Sequence, residues 1–392
     1  MRFLNVVLWV FLLPPLWGCA DESVRNIAVP APVGSAQPHL VRDSQGHAVL
    51  SWLHTEADQT RLQFATFDGV TWQTPITVAQ GPDWLRNWAD FPALVPVSEE
   101  VWYAHWLTRL PGGKYAYHVQ VACSSDGGRT WSQPQRLHDD ASAVEHGFVS
   151  MVADGDAGVV ALWLDGRNTG SEANGAEMQL RSRRLAVSGA VSEEGLVDAR
   201  VCDCCQTDMT LTSSGPVAVY RDRAVNEVRD IVVARLLDGT WVSQPLATDG
   251  WVIRGCPVNG PAIAARGDLL AVAWFTAADE PLVKVAISQD GGANFGAPVV
   301  VAAAGPLGRV DIDWLDGDRA VVSWLQGGEG QLQLRTVGMA GHLGPVHTVA
   351  SMATERRAGF PQMLALESGL MLVWVETSAD KSRLQAAWLH GL

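Results

Sequence analysis

The sequence predicts an all-β protein, a β-propeller of four-stranded blades, on three observations. An apolar motif recurs roughly every 50 residues, the length of one blade. Each recurrence contains a strand that ends near a tryptophan, and the chain has 17 of them to spend. Charged residues make up only 18% of the sequence and glycines number 38, a balance that suits a turn-rich chain with a large buried core.

Unit one runs from Pro38 through Ala48-Val-Leu-Ser-Trp52, Leu62-Gln-Phe-Ala65 and Asp68-Gly-Val-Thr-Trp72 to Val78. Unit two follows with Phe91-Pro-Ala-Leu94, Val101-Trp-Tyr-Ala-His-Trp106 and His118-Val-Gln-Val-Ala122, ending at Trp131. Unit three has Phe148-Val-Ser-Met151 and Val159-Val-Ala-Leu-Trp-Leu164. Unit four has Asp208-Met-Thr-Leu211, Val217-Ala-Val-Tyr220, Asp230-Ile-Val-Val-Ala-Arg235 and Asp238-Gly-Thr-Trp241. Unit five has Pro261-Ala-Ile263, Leu270-Ala-Val-Ala-Trp274 and Val283-Lys-Val-Ala-Ile287. Unit six has Val310-Asp-Ile-Asp-Trp314, Ala320-Val-Val-Ser-Trp324 and Leu332-Gln-Leu-Arg335.

The seventh unit, from Phe360-Pro-Gln-Met363 through Leu370-Met-Leu-Val-Trp374 to Leu384-Gln-Ala-Ala-Trp388, stops one strand short. Residues 24–30 are β-prone and belong to no other unit, so they are expected to supply the missing outer strand and close the ring. Closure removes the open sheet edges of a linear array.

The ends set the cellular context. Met1, Arg2 and Phe3 precede an apolar run from Val6 to Leu13 and then Leu16-Trp17-Gly18-Cys19. A basic start, a short apolar stretch and a small residue before the cut read as a secretory signal peptide over residues 1–18. The Leu-x-Gly-Cys ending resembles the lipobox of bacterial lipoproteins. That resemblance implies lipidation of Cys19, attachment to a membrane, and a mature chain facing the periplasm or the cell surface. Residues 19–37 are then the anchored N-terminus with the closing strand, and 38–392 the propeller. A formal charge of −14 argues against nucleic acid as a partner, since an acidic surface repels phosphates.

Ser124-Ser-Asp-Gly-Gly-Arg-Thr-Trp131 resembles the Asp-box of the sialidase superfamily, and Ser288-Gln-Asp-Gly-Gly-Ala-Asn-Phe295 nearly repeats it. The segments at Asp68 and Asp238 are degenerate copies. Such boxes sit on hairpins between outer strands and are structural. The resemblance implies a sialidase-like propeller, usually of six blades, whereas the apolar repeat counts seven. It further implies binding of a glycan or other ligand on the central face, or hydrolysis by an exo-sialidase or related glycosidase. The Phe-Arg-Ile-Pro-type segment of true sialidases is absent, because Phe91-Pro92 and Phe360-Pro361 lack its arginine.

Function in a propeller is sought in the loops that enter the innermost strands and those that follow the second strands. Tyr220-Arg-Asp-Arg223 and Glu227-Val-Arg-Asp230 offer Tyr220, Glu227 and Arg221 as a catalytic set by resemblance to the tyrosine nucleophile of sialidases. Arginines there can also grip a carboxylate through paired hydrogen bonds. Asp90, His146, Asp165, Arg167, Arg223, Arg229, Arg356 and Arg357 complete the candidate ligand-binding residues, and Trp84 and Trp88 are candidates for stacking on a sugar ring. Ion pairs that merely hold loops are the competing reading for the charged groups.

The densest motif is Cys202-Asp-Cys-Cys-Gln-Thr-Asp208, with Cys256 at the equivalent place one unit later. An extended segment would put Cys202 and Cys204 on one side and Cys205 on the other. Four cysteines in an exported chain read as disulfides, or as a thiolate site for copper or zinc with His146 assisting. Cys123, in an apolar strand, reads as a free thiol.

Overall fold

The computed structural model describes residues 24–155, 158–169, 177–378 and 381–392, so the leader and Cys19 lie outside the described residues. The chain forms seven sheets of four antiparallel strands, each sheet one blade. Blade 1 comprises Ala36–Arg42, Ala48–Glu56, Gln59–Phe67 and Ile76–Gly81. Blades 2 to 6 repeat this order, their innermost strands being Ala93–Pro96, His146–Ala153, Asp208–Thr212, Ala262–Arg266 and Pro306–Trp314. The count is therefore seven rather than the six usual in the sialidases it resembles.

Blade 7 is built from both ends of the chain. Gln362–Leu366, Gly369–Ser378 and Lys381–Leu389 supply three strands, and Val24–Ile27 adds the fourth, pairing Val24 with Leu389 and Ile27 with Ala386. The closing strand expected from the sequence is thus in place.

Seven hydrophobic clusters hold the ring, one at each contact between neighbouring blades. This explains why second strands read as unbroken apolar runs: both faces of each meet another sheet, as Gly158–Asp165 shows by being buried throughout. Trp52, Trp106, Trp163, Trp274, Trp324 and Trp374 occupy one repeated position on these strands. In blade 4 the same position is Tyr220.

The innermost strands line an axial cavity of about 530 Å³. Its carboxylates tie blade to blade: Asp208 accepts the Ile263 N–H at 2.8 Å, Asp311 that of Met363 at 2.6 Å, and Asp313 that of Ala365 at 2.8 Å. Burial pushes the Asp208 carboxyl up to about 7.

At the mouth of this channel several innermost strands are bulged. Gln37, Phe148 and Arg309 have positive φ where the register of blades 1, 3 and 6 shifts. Two of these bulges share one clasp. Asp90 accepts the Phe148 N–H and Asn259 accepts the Arg309 N–H, both at 2.8 Å. A Cβ on Gly147 would lie 2.0 Å from Asp90 and one on Gly308 2.2 Å from Asn259, so the residue before each bulge must be glycine.

Candidate functional site

The site lies on the face where loops enter the innermost strands of blades 4 and 5. Residues 203–204 form a turn rather than an extended strand, and this turn changes which cysteines meet. Cys202 Sγ is 3.2 Å from Cys205 Sγ and 3.9 Å from Cys204 Sγ, so the expected alternation of Cys202 and Cys204 against Cys205 does not hold. Cys256, from the loop before blade 5, comes close enough to Cys204 for the two thiols to influence each other. The two loops therefore meet, as both sequence-based readings of the cysteines require.

All four are free thiols, with Cys202 and Cys205 buried, Cys204 partly buried and Cys256 exposed. Thiol contacts from Cys204 and Cys205, aided by the charges of Arg221 and Arg229, pull Cys202 well below the usual thiol range. Contact with Cys202 pushes Cys204 up, and burial pushes Cys205 up. Contact with Cys204 also draws the Cys256 thiol down. Arg229 Nη1 donates to Cys202 Sγ at 3.2 Å.

A cleft of about 550 Å³ opens above the sulfurs, lined by Asp203, Arg223, Glu227, Arg229, Arg254 and Cys256. Among the described residues, all of its charges but that of the exposed Arg254 are already paired. Glu227 takes Arg223 through both oxygens at 3.0 to 3.2 Å and Arg229 at 3.0 Å, which holds its carboxyl down at about 2. Arg223 also donates to Asp203 at 3.2 Å. Arg221 is buried and spends its guanidinium on the carbonyls of Asn259, Arg229 and Phe275 while stacking on Trp251.

Tyr220 is not placed to act as a nucleophile. It fills the tryptophan position of blade 4, is 1% exposed, and donates to Asp198 at 2.7 Å. Burial, with Asp198 beside it, pushes its phenol far above the ordinary tyrosine range.

The remaining candidates separate into other groups. Asp165 accepts two bonds from Arg167, each 2.7 Å, and Arg167 continues to Glu194 at 2.7 Å. Arg356 lies over Trp88, which stacks on Phe360, and Arg357 pairs with Glu355. Trp84 is buried against Trp106. Neither the Asp165–Arg167 pair nor these arginines meet the thiols. Cys123, on strand Tyr117–Ser124, is likewise remote, beside Ser132.

His146 does not assist the cysteines either; its ring stacks on His138 at 3.7 Å between centroids, with His118 at 5.5 Å. His118 and His138 escape a reading based on loop position alone. Both belong to the outer half of blade 2, at the start of its third strand and just after its short fourth strand. Tyr117 is the other residue not anticipated. Its hydroxyl meets Glu145 at 2.6 Å and Asp90 at 3.1 Å. Burial raises Asp90 to about 8 and Glu145 to about 7.

No protein-family model matches this sequence, and no curated protein matches it either. Solved structures do share its fold. A protein of unknown function from Dyadobacter fermentans covers 94% of this chain with 99% of its own at 12% identity and a TM-score of 0.52. The α-L-arabinofuranosidase Arb93A from Fusarium graminearum, solved with an iminosugar inhibitor, covers 91% of this chain with 93% of its own at 12% identity and 0.52. NanB sialidase from Streptococcus pneumoniae covers 94% of each chain at 10% identity and 0.48. At such identities the likeness is one of fold.

Proposed function

We propose that this protein is a metal-handling propeller whose central face holds one copper(I) or zinc(II) ion on Cys202, Cys204, Cys205 and Cys256. The observation that carries this reading is the convergence of three free thiols, Cys202, Cys204 and Cys205, within 4.8 Å of one another, with Cys256 of the neighbouring blade's entry loop beside Cys204 to complete the set. Sulfur separations of 3.2 and 3.9 Å exceed the roughly 2.05 Å of a disulfide. They bracket the edge of about 3.8 Å that a tetrahedral zinc thiolate centre with bonds of about 2.3 Å would have. Soft sulfur ligands select such ions, and Arg221 and Arg229 offset the negative charge of a thiolate set.

Protein purified anaerobically should carry about one equivalent of copper or zinc. Fewer than one free thiol in that cluster, no bound metal and a mass deficit of two protons per pair would instead establish disulfides. Export and lipid anchoring through Cys19 belong to the same proposal: Cys19→Ser should release a soluble form, and an unmodified mature N-terminus would refute the anchor.

Carbohydrate binding or hydrolysis is the second reading, and one observation favours it. Burial holds both Glu145 and Asp203 above the ordinary range, Glu145 shares the Tyr117 hydroxyl with the Asp90 carboxyl, and Asp203 lines the cleft. A raised acid beside a second carboxyl is the arrangement glycosidases use. Arg221, Arg223 and Arg229 are engaged within the protein, which leaves Arg254 as the cation of the cleft able to meet an acidic sugar. Turnover of arabinosides abolished by Glu145→Gln would support this reading; no release from neutral or acidic glycosides would count against it.

A further inference from the structure

We propose a second metal site, separate from the thiols, in which His118, His138, His146 and Asp140 hold a borderline divalent ion such as zinc(II) between blades 2 and 3. The three imidazoles bring one ring nitrogen each to within 4.8 Å of the others. His146 is fully buried and His138 nearly so, while His118 is 7% exposed. Three histidines enclosed together are not explained by packing alone, because each carries a polar edge that burial leaves costly unless it is bonded.

The hydrogen bonds present meet that requirement for His138 but not for His118 or His146. Nδ1 of His118 and Nδ1 of His146 are buried without a hydrogen-bond partner, and Nε2 of His146 faces the Asp140 carboxylate as an ion-pair contact rather than an aligned hydrogen bond. His138 is oriented by its Nδ1, 2.9 Å from the Asp140 carbonyl, while its Nε2 meets only the Val119 N–H at 3.4 Å. An Nδ1–H given to a backbone carbonyl is how ligating histidines are fixed, and His138 Nε2 would exchange its long bond from the Val119 N–H for the metal.

A fourth ligand is at hand. Asp140 Oδ2 is 3.0 Å from His146 Nε2, and its side chain is 21% exposed, which provides a way in from solvent. Asp165 Oδ1 lies 3.7 Å from the same nitrogen and is itself clamped by Arg167, so it can steady the site from outside the ligand set. Three imidazoles with one carboxylate suit zinc and its neighbours better than copper(I), which prefers sulfur. Loading must splay the stacked rings of His138 and His146, now 3.7 Å apart and within 3° of parallel.

This site does not depend on the thiolate reading, and the test keeps them apart. A mature chain with Cys202, Cys204, Cys205 and Cys256 all changed to serine should still retain about one equivalent of zinc after dialysis and melt higher with it. In that background His118→Gln and His146→Gln should each weaken zinc at least about tenfold. A cysteine-free chain that holds no zinc, or His variants that bind as their parent does, would overturn the proposal. Should the cysteine-free chain fail to fold, cobalt(II) titration of the intact protein decides instead. An intense d–d absorption without a sulfur charge-transfer band, lost in His118→Gln, supports the site. Cobalt showing sulfur charge transfer and nothing more overturns it.

Discussion

The sulfurs of Cys202 and Cys205 lie 3.2 Å apart, with the Arg229 guanidinium 3.2 Å from the first of them. The turn at 203–204 creates this contact by folding Cys205 back beneath Cys202 and leaving Cys204 to face Cys256. A guanidinium on sulfur is spent well if the sulfur is anionic, since an unpaired buried charge is expensive. Arg229 also reaches Glu227, which in turn holds Arg223, so the centre is framed by an alternating chain of charges.

Cys256→Ser should therefore lower bound copper or zinc from about one equivalent per chain to a small fraction of it. Cys256 is the one exposed member of the cluster and the one contributed by the blade 5 loop. Cys123→Ser is the matched control and should leave metal content unchanged. Elemental analysis after dialysis reads both variants, and equal metal in the two would contradict a four-sulfur site.

Much of this architecture was legible in the chain. The apolar period and its tryptophans predict seven blades, and the orphan segment before Pro38 predicts the closing strand, because both follow from burial with a fixed spacing. The meeting of Cys256 with the 202–205 loop was legible for the same reason, as equivalent places in adjacent repeats must be neighbours. The arginines were not. Whether Arg221 is free or spent on three carbonyls depends on loops from three parts of the chain, which no local pattern encodes. Tyr220 shows the opposite failure. Its place in the repeat already marked it as the tryptophan equivalent, but its neighbours Arg221 and Arg223 suggested chemistry.

Tyr220→Phe is accordingly predicted to cost stability, not function. It removes a buried hydroxyl bonded to Asp198 at 2.7 Å and to Ser243 at 3.4 Å. A hydrogen bond to a charged group contributes about 1.5 to 3 kcal/mol. Denaturant unfolding should register a loss of that order, while metal content stays at the parent level. A variant of parent stability that had lost its metal would reverse the assignment.

Asp90 gives a pH dependence with a definite sign. Its carboxyl is held at about 8 by burial, above the roughly 3.9 of an unfolded aspartate. Below the unfolded value both states are protonated and the folded state keeps its full advantage. As pH rises from about 4 to 8 the unfolded chain releases a proton that the folded one retains, so stability falls, by at most about 1.4 kcal/mol per pH unit. The equivalent clasp in blade 5 uses Asn259, a neutral isostere, for the same bond to the next bulge. Asp90→Asn should thus fold normally, match the parent below about pH 4 and exceed it increasingly toward pH 8. Unfolding curves that stay parallel across that range would refute a neutral Asp90.

The closing strand supplies the last test. Val24–Ile27 pairs along Lys381–Leu389 and covers an edge that would otherwise offer its N–H and C=O groups to another molecule. Its side chains also matter, for Val24 packs on the contact between blades 6 and 7 and Ile27 on that between blades 7 and 1. Removing residues 24–27 therefore strips one edge of hydrogen bonds and thins two of the seven interblade contacts at once. Because a ring transmits a lost contact to both neighbours, the expected result is a melting point lower by at least roughly 5 °C, together with association that grows with protein concentration. A charge placed on the bared edge separates the two effects: in the shortened chain, Gln385→Lys should suppress association without restoring the melting point, since it repels partners but refills no interblade space. A shortened chain that stays monomeric and melts with the parent would show that blade 7 is complete with three strands.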